Sequence, residues 1–174
     1  MKRRALALIA IFGLIVAACA TAESNDDPPE INFGRDICVE CGMTIVDARF
    51  AAAYRTDDGT EKKFDDIGGL VVHGREAGEL NDATIWVADF DTEEWLDATT
   101  SHFVPTLAVA SPMGHGLLAF GNEARAAAFA ADIDGEVIGW GVVMDLPVID
   151  GLVGHHHGEA GTDMHDMNDD EQGG

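Results

Sequence analysis

Twice along the chain a phenylalanine leads through two small or polar residues into a run of helical periodicity. Phe64-Asp65-Asp66 precedes IGGLVVHGRE, and Phe120-Gly121-Asn122 precedes EARAAAFAAD. Strand signals surround both. In the first half, residues 48–54 (ARFAAAY) read as a strand, Asp58-Gly59 marks a turn, and residues 61–64 begin a second strand. Residues 84–90 (TIWVADF) form a third, with Trp86, Ala88 and Phe90 on one side and Ile85 and Val87 on the other. The second half places strands at 106–110, 117–120 and 137–144 around a helix whose Ala124, Ala127, Ala128 and Ala131 lie at helical spacing. Asp65-Asp66 reads as the cap of the first helix rather than a paired-carboxylate site, and Ile67, Leu70 and Val71 share one helix face. The expected architecture is α+β, with two small tandem ββαβ-like repeats at about 44–100 and 105–144. They pack together because neither half alone buries much core.

The first residues bear on compartment. Lys2-Arg3-Arg4 precedes the apolar run ALALIAIFGLIVAA, which is shorter than the roughly 20 residues that span a bilayer and reads as a secretory signal over 1–18. Val16-Ala17-Ala18-Cys19 resembles a lipobox, in which Cys19 takes a lipid before cleavage. Residues 19–30, acidic and carrying Pro28-Pro29, then read as a flexible linker. The expected location is extracytoplasmic, lipid-anchored to the cell membrane or the outer membrane. The full chain has a formal charge of −22, and loss of the three N-terminal cations leaves 7 basic residues against 32 acidic ones, or −25. That balance argues against nucleic acid as a partner. Residues 145–174 are acidic, with few apolar side chains, and read as a disordered tail.

The chemistry concentrates in sulfur. Cys38 and Cys41 stand in CVECGM with Met43, and Cys19 is the only other cysteine. Outside the cytoplasm a disulfide is the default for such a pair, although a bridge over two residues closes a short loop and adds little stability. A thioredoxin-type redox pair needs the first Cys at a helix N-terminus after a buried strand, and Phe33-Gly34-Arg35-Asp36 gives no buried strand. Structural zinc needs four closed ligands, and a second Cys pair is missing. Monovalent copper accepts thiolate and thioether in sets of two or three, which suits the residue types better. Cys41 and Met43 share a face if the segment is extended, whereas Cys38 needs a turn to join them.

A second sulfur-bearing loop, Ser111-Pro112-Met113-Gly114-His115-Gly116, stands in the other half. Met113, flanked by Pro and Gly, sits in a turn where packing has little use for it, and it is a candidate ligand together with His115. The tail adds His155, His156, His157, Met164, His165 and Met167, a composition suited to secondary metal collection. His73 and His102 read as ordinary surface or packing residues, His102 in a loop, and Met144 as core in a strand. The sequence contains no catalytic constellation, and a non-enzymatic role is expected.

With these residues in view, the chain resembles the nitrous oxide reductase accessory family, NosL. The resemblance rests on Asp36-x-Cys38-x-x-Cys41-Gly42-Met43-x-Ile45, on Phe64-Asp65-Asp66, and on Pro112-Met113-Gly114 followed by Ala119-Phe120; it covers roughly 31–144. It implies a lipoprotein copper(I) chaperone that helps an ABC-transporter assembly load the copper centres of nitrous oxide reductase. It also implies two strand-strand-helix-strand repeats resembling the organomercurial lyase scaffold, without the lyase reaction. Cys41, Met43 and Met113 then fall where the family's motif residues sit, with Cys38 and His115 as further candidates. Two rival functions are a thiol-disulfide oxidoreductase using Cys38 and Cys41, and an envelope copper or zinc buffer using the His-rich tail.

Overall fold

The first hairpin forms around a turn set by its own side chains. Asp58 Oδ1 accepts from Thr56 Oγ1 at 2.6 Å and from Thr60 N–H at 3.0 Å, and Gly59 takes a φ of +86° that other residues rarely adopt. This joins β1 (Ala52–Arg55) to β2 (Glu61–Phe64). The computed structural model describes residues 27–146, so the expected signal segment, Cys19 and the His- and Met-rich tail lie outside the described residues. Helix α1 (Ile67–Ala77) starts where the Asp66 side chain accepts from Gly68 N–H at 2.8 Å and stops at Gly78 with a φ of +69°. The chain continues through β3 (Thr84–Ala88), β4 (Trp95–Asp97), β5 (His102–Pro105), β6 (Leu117–Phe120), α2 (Glu123–Asp132), β7 (Ile138–Gly139) and α3 (Trp140–Asp145).

The strands make two sheets, ordered β2-β1-β3-β4 and β6-β5-β7. In each, the first strand of a strand-strand-helix-strand unit lies between the second and third, so both halves use one topology. The α+β architecture of tandem ββαβ-like units expected from sequence is present. The edge strand β4 is an addition to the first unit.

Several boundaries differ from the sequence expectation. The first strand begins only at Ala52, because Asp47 caps a 3-10 turn over Ala48–Phe50 by accepting from Arg49 N–H at 3.1 Å. The strand expected at 106–110 lies earlier, over His102–Pro105, so His102 is a strand residue and not a loop residue. The displacement follows from Asp97, whose side chain caps a 3-10 turn at Ala98–Thr100, and from Thr106, whose hydroxyl accepts from Ala108 N–H at 2.9 Å and bends the chain. The strand expected over 137–144 is two residues of β7 followed by α3. Trp140, Val143 and Met144 face the core at helical spacing, and the Trp140 ring lies 5.7 Å from that of Phe103. Met144 therefore packs against the core from a helix rather than from a strand. On α2 the buried alanines are Ala126 and Ala130, while Ala124, Ala127, Ala128 and Ala131 are exposed. The half-buried Phe129, 5.5 Å from the Phe120 ring, fixes which face turns inward.

The core is divided by β6. Leu117 and Ala119 join the cluster built from Tyr54, Phe64, Leu70 and Val87, whereas Leu118 and Phe120 join a second cluster with Phe50, Val104 and Ala126. Period-2 alternation thus gives each face of this strand to a different core. Burying such side chains contributes on the order of 1.5–3 kcal/mol each. No helix among the described residues is long and apolar enough to cross a membrane.

The two sheets meet at Asp89, just past β3. Phe90 N–H donates to Ala119 O at 2.8 Å, and the buried Asp89 carboxylate accepts from Gly121 N–H at 2.7 Å and from both Arg125 nitrogens at 2.9 and 2.7 Å. Burial raises the carboxyl pKa, but Arg125 and the N–H groups of Gly121, Asp91 and Thr92 outweigh it and bring it down to about 2. A carboxyl depressed in the folded state contributes stability that is complete above its unfolded pKa and lost as pH falls through the folded one. Asp89→Asn should therefore cost about 2 kcal/mol in urea unfolding at pH 7. The gap from wild type should close as pH falls from about 4 through about 2. A gap that persists at pH 2 would contradict this account.

Candidate metal centre

The CVECGM segment is a tight hairpin. Ile37 pairs with Thr44 in an antiparallel bridge, Cys38 N–H donates to Met43 O at 2.8 Å, and Gly42 N–H donates to Cys38 O at 3.0 Å. Gly42, at a φ of +73°, permits the reversal. The extended segment that would place Cys41 and Met43 on one face is therefore replaced by a turn, because the backbone closes on itself between Cys38 and Met43. The turn instead brings the two thiols together and leaves the Met43 side chain 47% exposed.

Neighbouring elements hold the hairpin in place. Val39 N–H donates to Lys63 O in β2 at 3.0 Å, Lys63 Nζ reaches Asp36 Oδ2 at 2.8 Å, and Glu40 Oε2 lies 2.9 Å from His73 Nδ1 on α1. His73, read from sequence as an ordinary residue, thus tethers the cysteine loop to the helix. Its ring also packs 5.5 Å from that of Phe64.

Cys38 and Cys41 are free thiols, and their sulfurs lie within 4.8 Å of each other and of an Asp65 carboxylate oxygen. Cys41 Sγ is placed to donate to Asp65, at 3.6 Å from Oδ1 and 3.5 Å from Oδ2. Cys38 is 1% exposed and Cys41 half-buried, so access to the cluster is from the Cys41 side. Burial pushes the Cys38 thiol up to about 12, a shift that the backbone N–H groups of Cys41 and Asp65 partly offset. An attacking thiolate of the thioredoxin kind needs the opposite shift. A soft cation suits this environment: it replaces the thiol protons, and the same N–H groups then face a charged sulfur.

From sequence, Asp65 and Asp66 together read as capping residues. Only Asp66 caps; Asp65 turns to the thiols. The available signal was the doubling itself, since one carboxylate suffices for an N-cap.

The second loop reaches the same helix end. Asp66 Oδ2 accepts from Ser111 Oγ at 2.5 Å and from Met113 N–H at 3.1 Å, while Ser111 Oγ accepts from Gly116 N–H at 2.9 Å. Met113 is half-buried and, like Cys41, packs against the core cluster containing Leu70. His115 is buried in this loop but is not part of the Cys38–Cys41–Asp65 cluster. Of the expected residues, the fold therefore joins Cys38 and Cys41, sets Met113 at the first turn of α1, and leaves Met43 exposed at the end of the hairpin turn.

The family model described as NosL matches residues 31–145. No curated protein matches the chain. Among solved structures, the crystal structure of the copper chaperone NosL from Shewanella denitrificans is similar, with a TM-score of 0.57, 18% identity, and coverage of 65% of this chain and 92% of that one.

The burial of Cys38 predicts a large difference in alkylation. At neutral pH the Cys38 thiol should be modified by iodoacetamide at least about a hundredfold more slowly in the folded protein than in urea. Peptide mapping over time measures it, and equal rates in the two states would show that the thiol is neither buried nor held protonated.

Proposed function

The chain belongs to the NosL family, and on that premise we propose that it is an extracytoplasmic, lipid-anchored copper(I) chaperone that supplies the maturation of nitrous oxide reductase. The observation that carries the copper reading is the convergence of two free thiols and the Asp65 carboxylate at one partly open site, with Met113 packed at the same helix end. Thiolate and thioether are the ligands preferred by a soft monovalent ion. Family membership supports the choice of recipient, an ABC-transporter assembly that loads the enzyme's copper centres. The signal-like first segment and the lipobox at Cys19 support the location.

In this reading the ion is cargo. Cys41, the accessible thiol, meets it first, and its proton passes to Asp65, whose oxygens are 3.5 and 3.6 Å away. The Cys41 proton goes on from Asp65 to solvent, and Cys38 loses its own proton through the same open side as it supplies the second sulfur from the buried side; Met113 supplies a third of weaker donor strength. Such a site releases as well as binds: an incoming sulfur from the recipient enters at the Cys41 side before the old ligands leave. Met43 and His115 serve as accessory donors during exchange, and the tail residues His155, His156, His157, Met164, His165 and Met167 collect ions for the inner site.

Anaerobic titration of the reduced protein with copper(I) against a competing chelator tests this. One tight equivalent should survive truncation after Val153, and should weaken by at least about tenfold in Cys41→Ala and in Met113→Ala. Absence of a tight site, or binding indifferent to both substitutions, would sink the copper reading, while loss of most binding on truncation would point to a tail-based buffer. Cells lacking the protein should yield nitrous oxide reductase short of copper. Full copper occupancy in those cells would remove the proposed recipient.

A further inference from the structure

The third residue of α1 is Gly69, buried in the first turn of the helix. Glycine in such a place destabilises a helix relative to alanine, so its presence asks for a reason. Conformation does not supply one, because Gly69 is absent from the glycines with positive φ. Space does: a Cβ built there would stand 2.6 Å from Met113 Sδ, 3.4 Å from Met113 Cε and 3.9 Å from Asp66 Cβ. The missing methyl is the seat of the Met113 thioether.

We propose that Gly69 is a positioning residue that sets where the Met113 sulfur stands, and thereby whether the copper(I) site includes a thioether. This deepens the copper reading and rests on it. Asp66 holds the backbone of the loop through Ser111 Oγ and Met113 N–H, and Gly116 N–H closes the loop onto Ser111. With the backbone pinned, a methyl at position 69 is relieved by the side chain, which has three rotatable bonds. Restoring an ordinary contact of about 3.5–4.0 Å moves the sulfur by about 1 Å. Metal–ligand distances tolerate only about 0.2 Å. The same change leaves the thiol pair untouched, because no Cys38 or Cys41 atom stands within 4 Å among the nearest neighbours of the added methyl.

The test uses the reduced mature chain, with Gly69→Ala, Met113→Ala and the double variant. Copper(I) affinity is measured against a competing chelator, sulfur number by X-ray absorption at one equivalent of copper, and thermal unfolding on the metal-free proteins. Gly69→Ala should unfold at the wild-type temperature or above, bind copper(I) at least about tenfold more weakly, and show one sulfur fewer. The double variant should be no weaker than Met113→Ala alone, since both changes remove the same donor. Wild-type affinity and sulfur number in Gly69→Ala would overturn the role of Gly69, as would losses that add in the double variant. A lowered unfolding temperature would overturn it too, by showing that the methyl meets structure that cannot give way. If the wild type itself binds no copper(I) tightly, the functional reading falls first and this inference with it.

Discussion

The Asp66 carboxylate is fully buried, and the rest of the molecule is arranged around keeping it satisfied. An unpartnered carboxylate in an apolar interior is costly enough to unfold a small domain, so its partners are obligatory. Here they are Gly68 N–H in its own helix, Ser111 Oγ and Met113 N–H, the last two being 45 and 47 residues away in the other repeat. One acidic side chain thus starts α1 and fixes the loop that the second repeat lays across it. Asp89 acts in the reverse direction, reaching from the first repeat to Gly121 and Arg125 at the start of α2. The junction is stitched at both helix beginnings.

That arrangement gives the thiol site its setting. The cysteine hairpin, through Asp65, and the methionine loop, through Asp66, are both held at the N-terminal end of an eleven-residue helix, where backbone N–H groups carry partial positive charge. Two thiolates holding one monovalent cation make an anion. A helix N-terminus favours such a complex over the separate neutral thiols, and it does so without adding a fixed cation that would repel an incoming metal ion. The hairpin itself is secured by Lys63 and His73, so the donors are held by structure that exists before any ion arrives.

The helices and the tandem pattern were legible because their signals are local. Asp66 and Asn122 mark the caps, and Ile67, Leu70 and Val71 mark the inward face of α1, all buried. What escaped depends on competition between local and distant terms. Residues 137–144 are rich in β-formers, yet Trp140, Val143 and Met144 bury better at helical spacing. Residues 106–110 resemble a strand, but side-chain turns at Asp97 and Thr106 shift the pairing to His102–Pro105. At the site, the candidate sulfurs could be named from composition. Their grouping could not, because it depends on a hairpin that turns Met43 outward and on Asp65 facing a thiol 24 residues earlier in the chain.

The double burial of β6 governs the order in which this protein comes into being. A strand that serves one core with Leu117 and Ala119 and the other with Leu118 and Phe120 leaves each repeat with an uncovered face until the other is present. Neither unit is a folding nucleus that can finish alone, and the decisive pairings close long loops, which places the chain among slower-folding topologies. In chain order the cysteine hairpin comes well before the segment that completes its surroundings. Its capacity to hold an ion is therefore acquired late and all at once, when the last strand and helix dock, so that an intact site doubles as a report that folding is complete.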